Sequence, residues 1–363
     1  MPDGKIIRGY EDQPVLMCGN EAIAEAAIRA GCQAYFGYPI TPQNELTEYM
    51  ARRMPEERRV FLQTESELAA INMVLGASVI GARAMTSSSG PGISLKQEGI
   101  SYLAGDELPA VIVNMMRGGP GLGNIGPGQS DYFQATRGGG HGDYRTPVLA
   151  GASVQELADL TFLAFDLADL YRTPVFVLGD GVLGQMMEPV SFTTYEPRKL
   201  PPKDWILDGA RGRSPRSIHS LLLEPGALDR HNRHLQEKYR RIEEAEVRFE
   251  EFGIDDANLV VVAYGISARL SRAVVKSLRS RGIQVGLFRP ITLWPFPSRR
   301  IKELAERVSG FLAVEMSCGQ MVEDVRLAVE GRRPVKFYGR AGGEILTFAE
   351  IEEAVLAAGE TRT

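Results

Sequence analysis

Along this chain, short apolar runs alternate with stretches whose apolar residues return at helical spacing. Residues 21–30 carry the helical period and Gly31 ends it. Residues 33–36 then form a short strand leading into Tyr38-Pro39-Ile40-Thr41-Pro42. Proline fixes its own φ and pushes the preceding residue toward extended geometry. Tyr38 and Ile40 are therefore expected to be extended, with the Thr41 hydroxyl held where a strand gives way to a helix over 43–53. Residues 60–62 read as a strand, and Thr64 or Ser66 as the cap of a helix over 67–81 whose apolar face is Ala69, Ala70, Met73, Val74 and Ala77. Glu67 falls in the first turn of that helix.

A strand at 84–87 precedes Ser87-Ser88-Ser89-Gly90-Pro91-Gly92, a turn of small residues that lets a ligand come close to backbone. After a helix over 94–103, residues 110–116 make a strongly apolar strand that stops at Arg117. A glycine-dense loop then spans 118–142, a length that inside a compact domain is usually functional. A helix over 154–171 and a strand over 175–178 close the first unit. From residue 196 the composition shifts to proline and then to dense charge, with 230–252 predicted as an exposed helix suited to a solvated face or a partner-facing arm. Strands at 259–263, 285–288, 311–314 and 335–338 alternate with helices from Ala268, Arg299, Gln320 and Phe348. The pattern predicts an α/β fold: a parallel-sheet domain over 1–195, a charged linker over 196–256 and a smaller α/β domain over 257–363. Ligands of such sheets bind at the carboxyl edge of the strands.

Composition narrows the classes. The 363 residues are 44% hydrophobic and 24% charged with a net charge of −5, which gives no general attraction to nucleic acid or anionic membrane. Cys18, Cys32 and Cys318 form no C-x-x-C pair and so no zinc or iron–sulfur ligand set. Each is expected to be a small buried hydrophobe, with Cys318, beside Gly319, the one that merits watching. So sparse a cysteine count suits a reducing cytoplasm. Residues 1–10 are charged and lack an apolar leader core, and no run approaches a membrane span, so a cytoplasmic protein is expected.

Two motifs bear on chemistry. Gly121-Leu122-Gly123-Asn124-Ile125-Gly126 has the literal dinucleotide spacing, but Pro127-Gly128 breaks the chain where that fingerprint opens a helix. Glu67 together with Gly90-Pro91-Gly92 is more telling, because a carboxylate and a small-residue turn both reach one sheet edge. Alone, Glu67 reads as a first-turn carboxylate meeting the helix dipole, and Glu65 as a solvated alternative. The layout resembles the pyrimidine-binding domain of thiamine diphosphate enzymes, in which a buried glutamate hydrogen-bonds the aminopyrimidine N1′. Gly179-Asp180-Gly181 looks like the start of the complementary diphosphate motif, but the next asparagine is Asn232. Asp180 is read as a turn residue, and the diphosphate and metal half is assigned to another chain.

Tyr38-Pro39-Ile40-Thr41-Pro42, Glu67, the 88–92 turn, Met116-Arg117-Gly118-Gly119-Pro120, Gln129-Ser130-Asp131 and His141-Gly142-Asp143 resemble the α subunit of multi-subunit 2-oxoacid:ferredoxin (or flavodoxin) oxidoreductases. Glu315, Gly319-Gln320-Met321, Phe288-Arg289-Pro290 and Trp294-Pro295 resemble that family's second, transketolase-C-terminal-like domain. The resemblance implies Glu67 as the N1′ partner and Thr41 beside it as catalytic residues. It implies Tyr38, Pro39, Ile40, Ser88, Ser89 and Gly90 at the cofactor, and Arg117 on the substrate carboxylate. A guanidinium forks onto a carboxylate and keeps its charge, which suits Arg117 at a strand's carboxyl end; a loop-anchoring ion pair is its plainer role. His141 either lines the pocket or locks the glycine loop.

The implied reaction is oxidative decarboxylation of a 2-oxoacid to acyl-CoA and carbon dioxide, with thiamine diphosphate shared with a β subunit and ferredoxin or flavodoxin as acceptor. Magnesium and [4Fe-4S] clusters are implied in partner β, γ and ferredoxin-like δ subunits. The loop Gly138-Gly139-Gly140-His141-Gly142-Asp143-Tyr144 looks closest to the branched-chain (3-methyl-2-oxobutanoate) members; 2-oxoglutarate, an aryl 2-oxoacid or pyruvate stays open, and a dicarboxylate would call on Arg137 or Arg145. A non-redox thiamine decarboxylase or carboligase and a non-catalytic scaffold are the competing readings.

Overall fold

The computed structural model describes residues 13–193 and 195–359; the charged segment over 1–10 lies outside them. The first strands are β1 (Val15–Cys18), β2 (Ala34–Gly37), β3 (Val60–Gln63), β4 (Ala84–Ser88), β5 (Ala110–Met116), β6 (Val148–Ala150), β7 (Pro174–Asp180) and β8 (Met187–Val190). Interleaved with them are α1 (Gly19–Arg29), α2 (Asn44–Glu56), α3 (Glu67–Val79), α4 (Pro91–Gly105), α5 (Tyr132–Arg137), α6 (Val154–Tyr171) and α7 (Gly181–Gln185). Next come α8 (Ala227–Ala245), β9 (Phe249–Phe252), β10 (Leu259–Ala263), α9 (Gly265–Ser280), β11 (Val285–Pro290) and β12 (Thr292–Trp294). The chain closes with α10 (Ser298–Ala305), β13 (Gly310–Glu315), α11 (Met321–Val329), β14 (Val335–Gly339) and α12 (Phe348–Gly359). Among the described residues no helix is long and apolar enough to cross a membrane.

The larger sheet runs β12-β6-β7-β5-β4-β2-β3, parallel except for β12. β5 lies inside it and is buried at all seven positions, which is why its sequence is apolar throughout except for Asn114 rather than alternating. The second sheet runs β14-β13-β10-β11-β9, with β9 antiparallel to β11. A small antiparallel pair joins β1 to β8.

The structure departs from the sequence expectation in several places. The turn after β4 shortens to Ser89 and Gly90, because Pro91 opens α4, a position where its missing N–H costs nothing. The charged stretch is not one exposed helix. α8 ends at Ala245 and buries Leu235, Lys238, Tyr239 and Ile242, while 249–252 form a strand of the second sheet. Tyr239 meets Trp294 of β12 edge-on at 5.9 Å, and β12 itself pairs with β6 of the first sheet. Cys18 and Cys32 are buried as expected, but Cys318 is exposed.

Asp180 is more than a turn residue. Fully buried, it caps α7 by accepting from the amides of Val182 (2.9 Å) and Leu183 (3.1 Å). Burial pushes its carboxyl up to about 6 against those hydrogen bonds. A carboxyl raised above its unfolded value of about 3.9 binds its proton more tightly when folded, so its contribution is complete below about pH 4 and is lost as pH rises through 6. Asp180→Asn keeps an acceptor oxygen and has no charge to bury. Urea unfolding is expected to show it gaining on the parent between about pH 4 and 6, by about 3 kcal/mol at 1.36 kcal/mol per unit; a pH-independent difference contradicts this.

Candidate active site

The carboxyl edge of the large sheet is organised by the turn between β4 and α4. Tyr35 of β2, wholly buried, shares hydrogen bonds with Ser87 Oγ (2.6 Å) and Thr47 Oγ1 (2.9 Å), and Ser87 Oγ also donates to Gln43 of the segment that opens α2. These bonds tie the 38–43 segment to the end of β4. Gly90 takes φ +45°, a backbone conformation that L side chains rarely adopt.

Ser66 caps α3 by accepting from the Ala69 amide, which sets Glu67 as the first helical residue. α3 then lies close against α4 at two glycines. A Cβ on Gly92 would stand 2.6 Å from Glu67 Oε1 and 2.1 Å from Ser88 Oγ, and one on Gly99 would stand 2.5 Å from Ile71 Cγ2. Glu67 thus occupies the space that Gly92 leaves, as the pairing of carboxylate and glycine turn predicts. It is 6% exposed, and among the described residues its carboxylate accepts no hydrogen bond. Ser88 Oγ meets the same space, and it, Ser89 Oγ and, on the neighbouring strand, Asn114 Oδ1 are buried with no partner among the described residues. Buried polar atoms normally find one, so a cluster of partnerless groups at a sheet edge marks a place for a ligand.

Arg117 follows β5 and reaches the same edge. Its Nη1 donates to the Thr41 carbonyl and its Nη2 to the Leu122 carbonyl, both at 2.9 Å. Its Nε is buried without a partner among the described residues and lies beside Gly90, where a Cβ would stand 3.1 Å away. One edge of the guanidinium therefore meets the turn with a donor to spare. The glycine loop beyond it owes its composition to close packing: Asn124 Nδ2 donates to Gly342 O at 2.6 Å, and a Cβ on Gly126 would lie 2.4 Å from Gly343 O. Gln129 anchors the loop's far end, donating to the Tyr264 carbonyl and accepting from Ser267 Oγ and the Met316 amide.

Of the residues singled out in the sequence, Thr41, Glu67, Ser88, Ser89, Gly90 and Arg117 come together. Tyr38 and Pro39 are exposed at the rim of the same edge, with Ile40 half-buried. His141 is exposed on the glycine loop and is not brought to Glu67. Arg137 is committed to Asp324 at 2.8 Å, and Arg145 donates to the Thr136 and Arg137 carbonyls. Both arginines line a different cavity, of about 680 Å³, between the 142–145 segment and α8. The residue that the sequence reading missed is Lys96, fully buried on α4. Its signal was its position four residues after Gly92, hence on the same helix face.

Residues 25–252 match the family described as "Pyruvate flavodoxin/ferredoxin oxidoreductase, thiamine diP-bdg", and residues 257–351 match "Pyruvate:ferredoxin oxidoreductase core domain II". The chain belongs to the 2-oxoacid:ferredoxin oxidoreductase family. The ketoisovalerate oxidoreductase subunit VorB of Methanothermobacter thermautotrophicus is 55% identical, over 93% of this chain and 96% of its own. The 2-oxoglutarate synthase subunit KorA of the same organism is 38% identical, over 93% of this chain and 97% of its own. A solved 2-oxoglutarate:ferredoxin oxidoreductase from Magnetococcus marinus, with 2-oxoglutarate, coenzyme A and succinyl-CoA bound, superposes with a TM-score of 0.84 at 25% identity. That match covers 95% of this chain and 65% of the longer one.

For a thiamine-dependent oxidoreductase subunit the residues at this edge are chemically apt. A free buried carboxylate suits a basic ring nitrogen, the serine hydroxyls suit polar ring substituents, and the space over Gly90 and Gly92 would be lost to any side chain.

Proposed function

We propose that this chain is the pyrimidine-side subunit of a CoA-dependent 2-oxoacid:ferredoxin oxidoreductase whose substrate is a branched-chain 2-oxoacid such as 3-methyl-2-oxobutanoate. The observation that carries the reading of the site is the meeting at one sheet edge of Glu67 with polar atoms of Ser88, Ser89 and Arg117 that have no partner among the described residues. Thiamine diphosphate, when bound, supplies the carbanion chemistry, and protein groups position and polarise it. Glu67 is the group that exchanges a proton with the aminopyrimidine N1′, Ser88, Ser89 and the 38–41 segment line the ring, and Arg117 holds the substrate carboxylate through its Nε edge. The acyl group passes to coenzyme A, carbon dioxide leaves, and the electron pair departs in single-electron steps to ferredoxin or flavodoxin.

The branched-chain assignment draws support from the 55% identity to a ketoisovalerate oxidoreductase subunit. It gains from the placement of Arg137 and Arg145, because a dicarboxylate would need a second cation and both are engaged elsewhere. The use of Asp180 as a buried helix cap supports a magnesium and diphosphate half contributed by a β subunit, together with [4Fe-4S] clusters there and in γ and δ partners. We place the assembly in the cytoplasm, in keeping with its sparse cysteines.

The test is a visible spectrum of the complex purified from its native host, taken anaerobically before and after adding individual 2-oxoacids with coenzyme A. A broad cluster absorbance bleached first by 3-methyl-2-oxobutanoate is expected. Bleaching by 2-oxoglutarate instead overturns the substrate assignment, and a colourless complex with all partner chains present overturns the electron transfer.

A further inference from the structure

Gly92, Lys96 and Gly99 are spaced i, i+4 and i+7 on α4 and so share one face. Glu67 of α3 fills the space over Gly92, and Ile71, one turn further along α3, fills that over Gly99. Lys96 stands between them and is wholly buried. Its Nζ donates to Thr86 Oγ1 at 2.8 Å and to the Ser87 carbonyl at 3.0 Å, both on β4. An ammonium has three donors, and the third finds no acceptor among the described residues. A lysine is almost never fully buried without a paired charge, and here it is placed one helical turn beneath the glycine on which the Glu67 carboxylate rests.

We propose that Lys96 is a positioning residue for Glu67: its ammonium pins the end of β4 beneath the carboxylate and places a buried positive charge on the helix face against which that carboxylate rests. The inference rests on the reading of Glu67 as the aminopyrimidine partner.

The surroundings leave Glu67 as the charge that acts on Lys96. From β4, Thr86 and Ser87 present neutral groups. From β2, Tyr35 bonds to Ser87 and stays neutral, burial pushing its hydroxyl up to about 12. From β5 and the start of α5, Asn114 and Asp131 bond to each other, and Asp131 also feels Arg117. Burial pushes the Lys96 ammonium down to about 7, with the Glu67 carboxylate working the other way. Lys96 therefore changes charge inside the physiological range, and the Glu67 carboxylate favours its ionised form.

The experiment is thiamine diphosphate binding to the cofactor-stripped complex, titrated across the neutral pH range for the parent, Lys96→Met and Lys96→Arg. Lys96→Met removes the charge at similar length, so binding is expected to lose its alkaline step and to stay across the range at the weakened level that the parent reaches at alkaline pH. Lys96→Arg fixes the charge, so parental binding is expected on the acidic side while the alkaline decline disappears. General damage to the turn would weaken both variants alike and leave the parent's alkaline step in each. Should Lys96→Met fail to assemble, Lys96→Gln keeps donors for Thr86 and Ser87 without charge and serves the same comparison. An assembled Met or Gln variant with the parent's pH profile overturns the inference while leaving the site reading intact. A parent complex that binds no thiamine diphosphate overturns both.

Discussion

Glu67→Gln is expected to lower kcat by about 10²- to 10⁴-fold, the range for loss of a positioned proton-transfer group, while leaving the subunit folded and assembled. Glutamine matches glutamate in shape, so it fits the space over Gly92 without a new contact. No hydrogen bond to Glu67 is lost among the described residues, and α3 keeps its cap at Ser66. What changes is that the amide neither takes nor returns a proton at the aminopyrimidine N1′. The check is 2-oxoacid-dependent ferredoxin reduction by the variant complex, with size-exclusion profile and melting temperature as controls. Parental turnover in an intact complex would assign the subunit a scaffolding role and move the chemistry to another chain.

Arg117→Lys is expected to reduce kcat/KM for the 2-oxoacid by about 10- to 100-fold, with KM carrying most of the change. A hydrogen bond to a charged group contributes about 1.5–3 kcal/mol, and lysine replaces a fork by a point charge. In the present arrangement Nη1 and Nη2 each donate one N–H, to the Thr41 and Leu122 carbonyls, and among the described residues Nε has no acceptor. A carboxylate arriving at the Nε edge competes with the Leu122 carbonyl for Nη2. The variant therefore separates two roles: a raised KM with an unchanged melting temperature assigns Arg117 to the substrate, and a lowered melting temperature with an unchanged KM assigns it to holding the glycine loop.

Much of this site was legible because its logic is local. The Ser66 cap and the apolar period of α3 place Glu67 at a helix start, Gly90-Pro91-Gly92 announces a close approach, and the apolar run of β5 delivers Arg117 to the sheet edge. Those features depend on spacing within one element or one turn. The misses depend on partners distant in sequence. Spacing puts Lys96 on the helix face of Gly92, but only the packing of α3 and β4 shows that this face is covered, so in sequence it reads as one charged residue among the polar positions of α4. His141 and the arginines at 137 and 145 looked suited to a pocket by composition, but Asp324, 187 residues from Arg137, decides where that guanidinium goes. Thr292–Trp294 is too short to read as a strand until its partner at Val148–Ala150 is known. The glycine loop was recognisable as special, but its cause, the backbone of residues 342 and 343 pressed against it, lies at the other end of the chain.

The antiparallel graft of β12 onto β6 has a consequence for synthesis. β6 is paired on one side with β7 and on the other with a strand that follows it by more than a hundred residues. A ribosome moving at about 5–20 residues per second leaves that edge bare for on the order of ten seconds after β6 has emerged. A bare strand edge is a template for pairing with another chain, so a nascent polypeptide of this kind spends its vulnerable interval late, between completion of the first sheet's interior and delivery of its last strand.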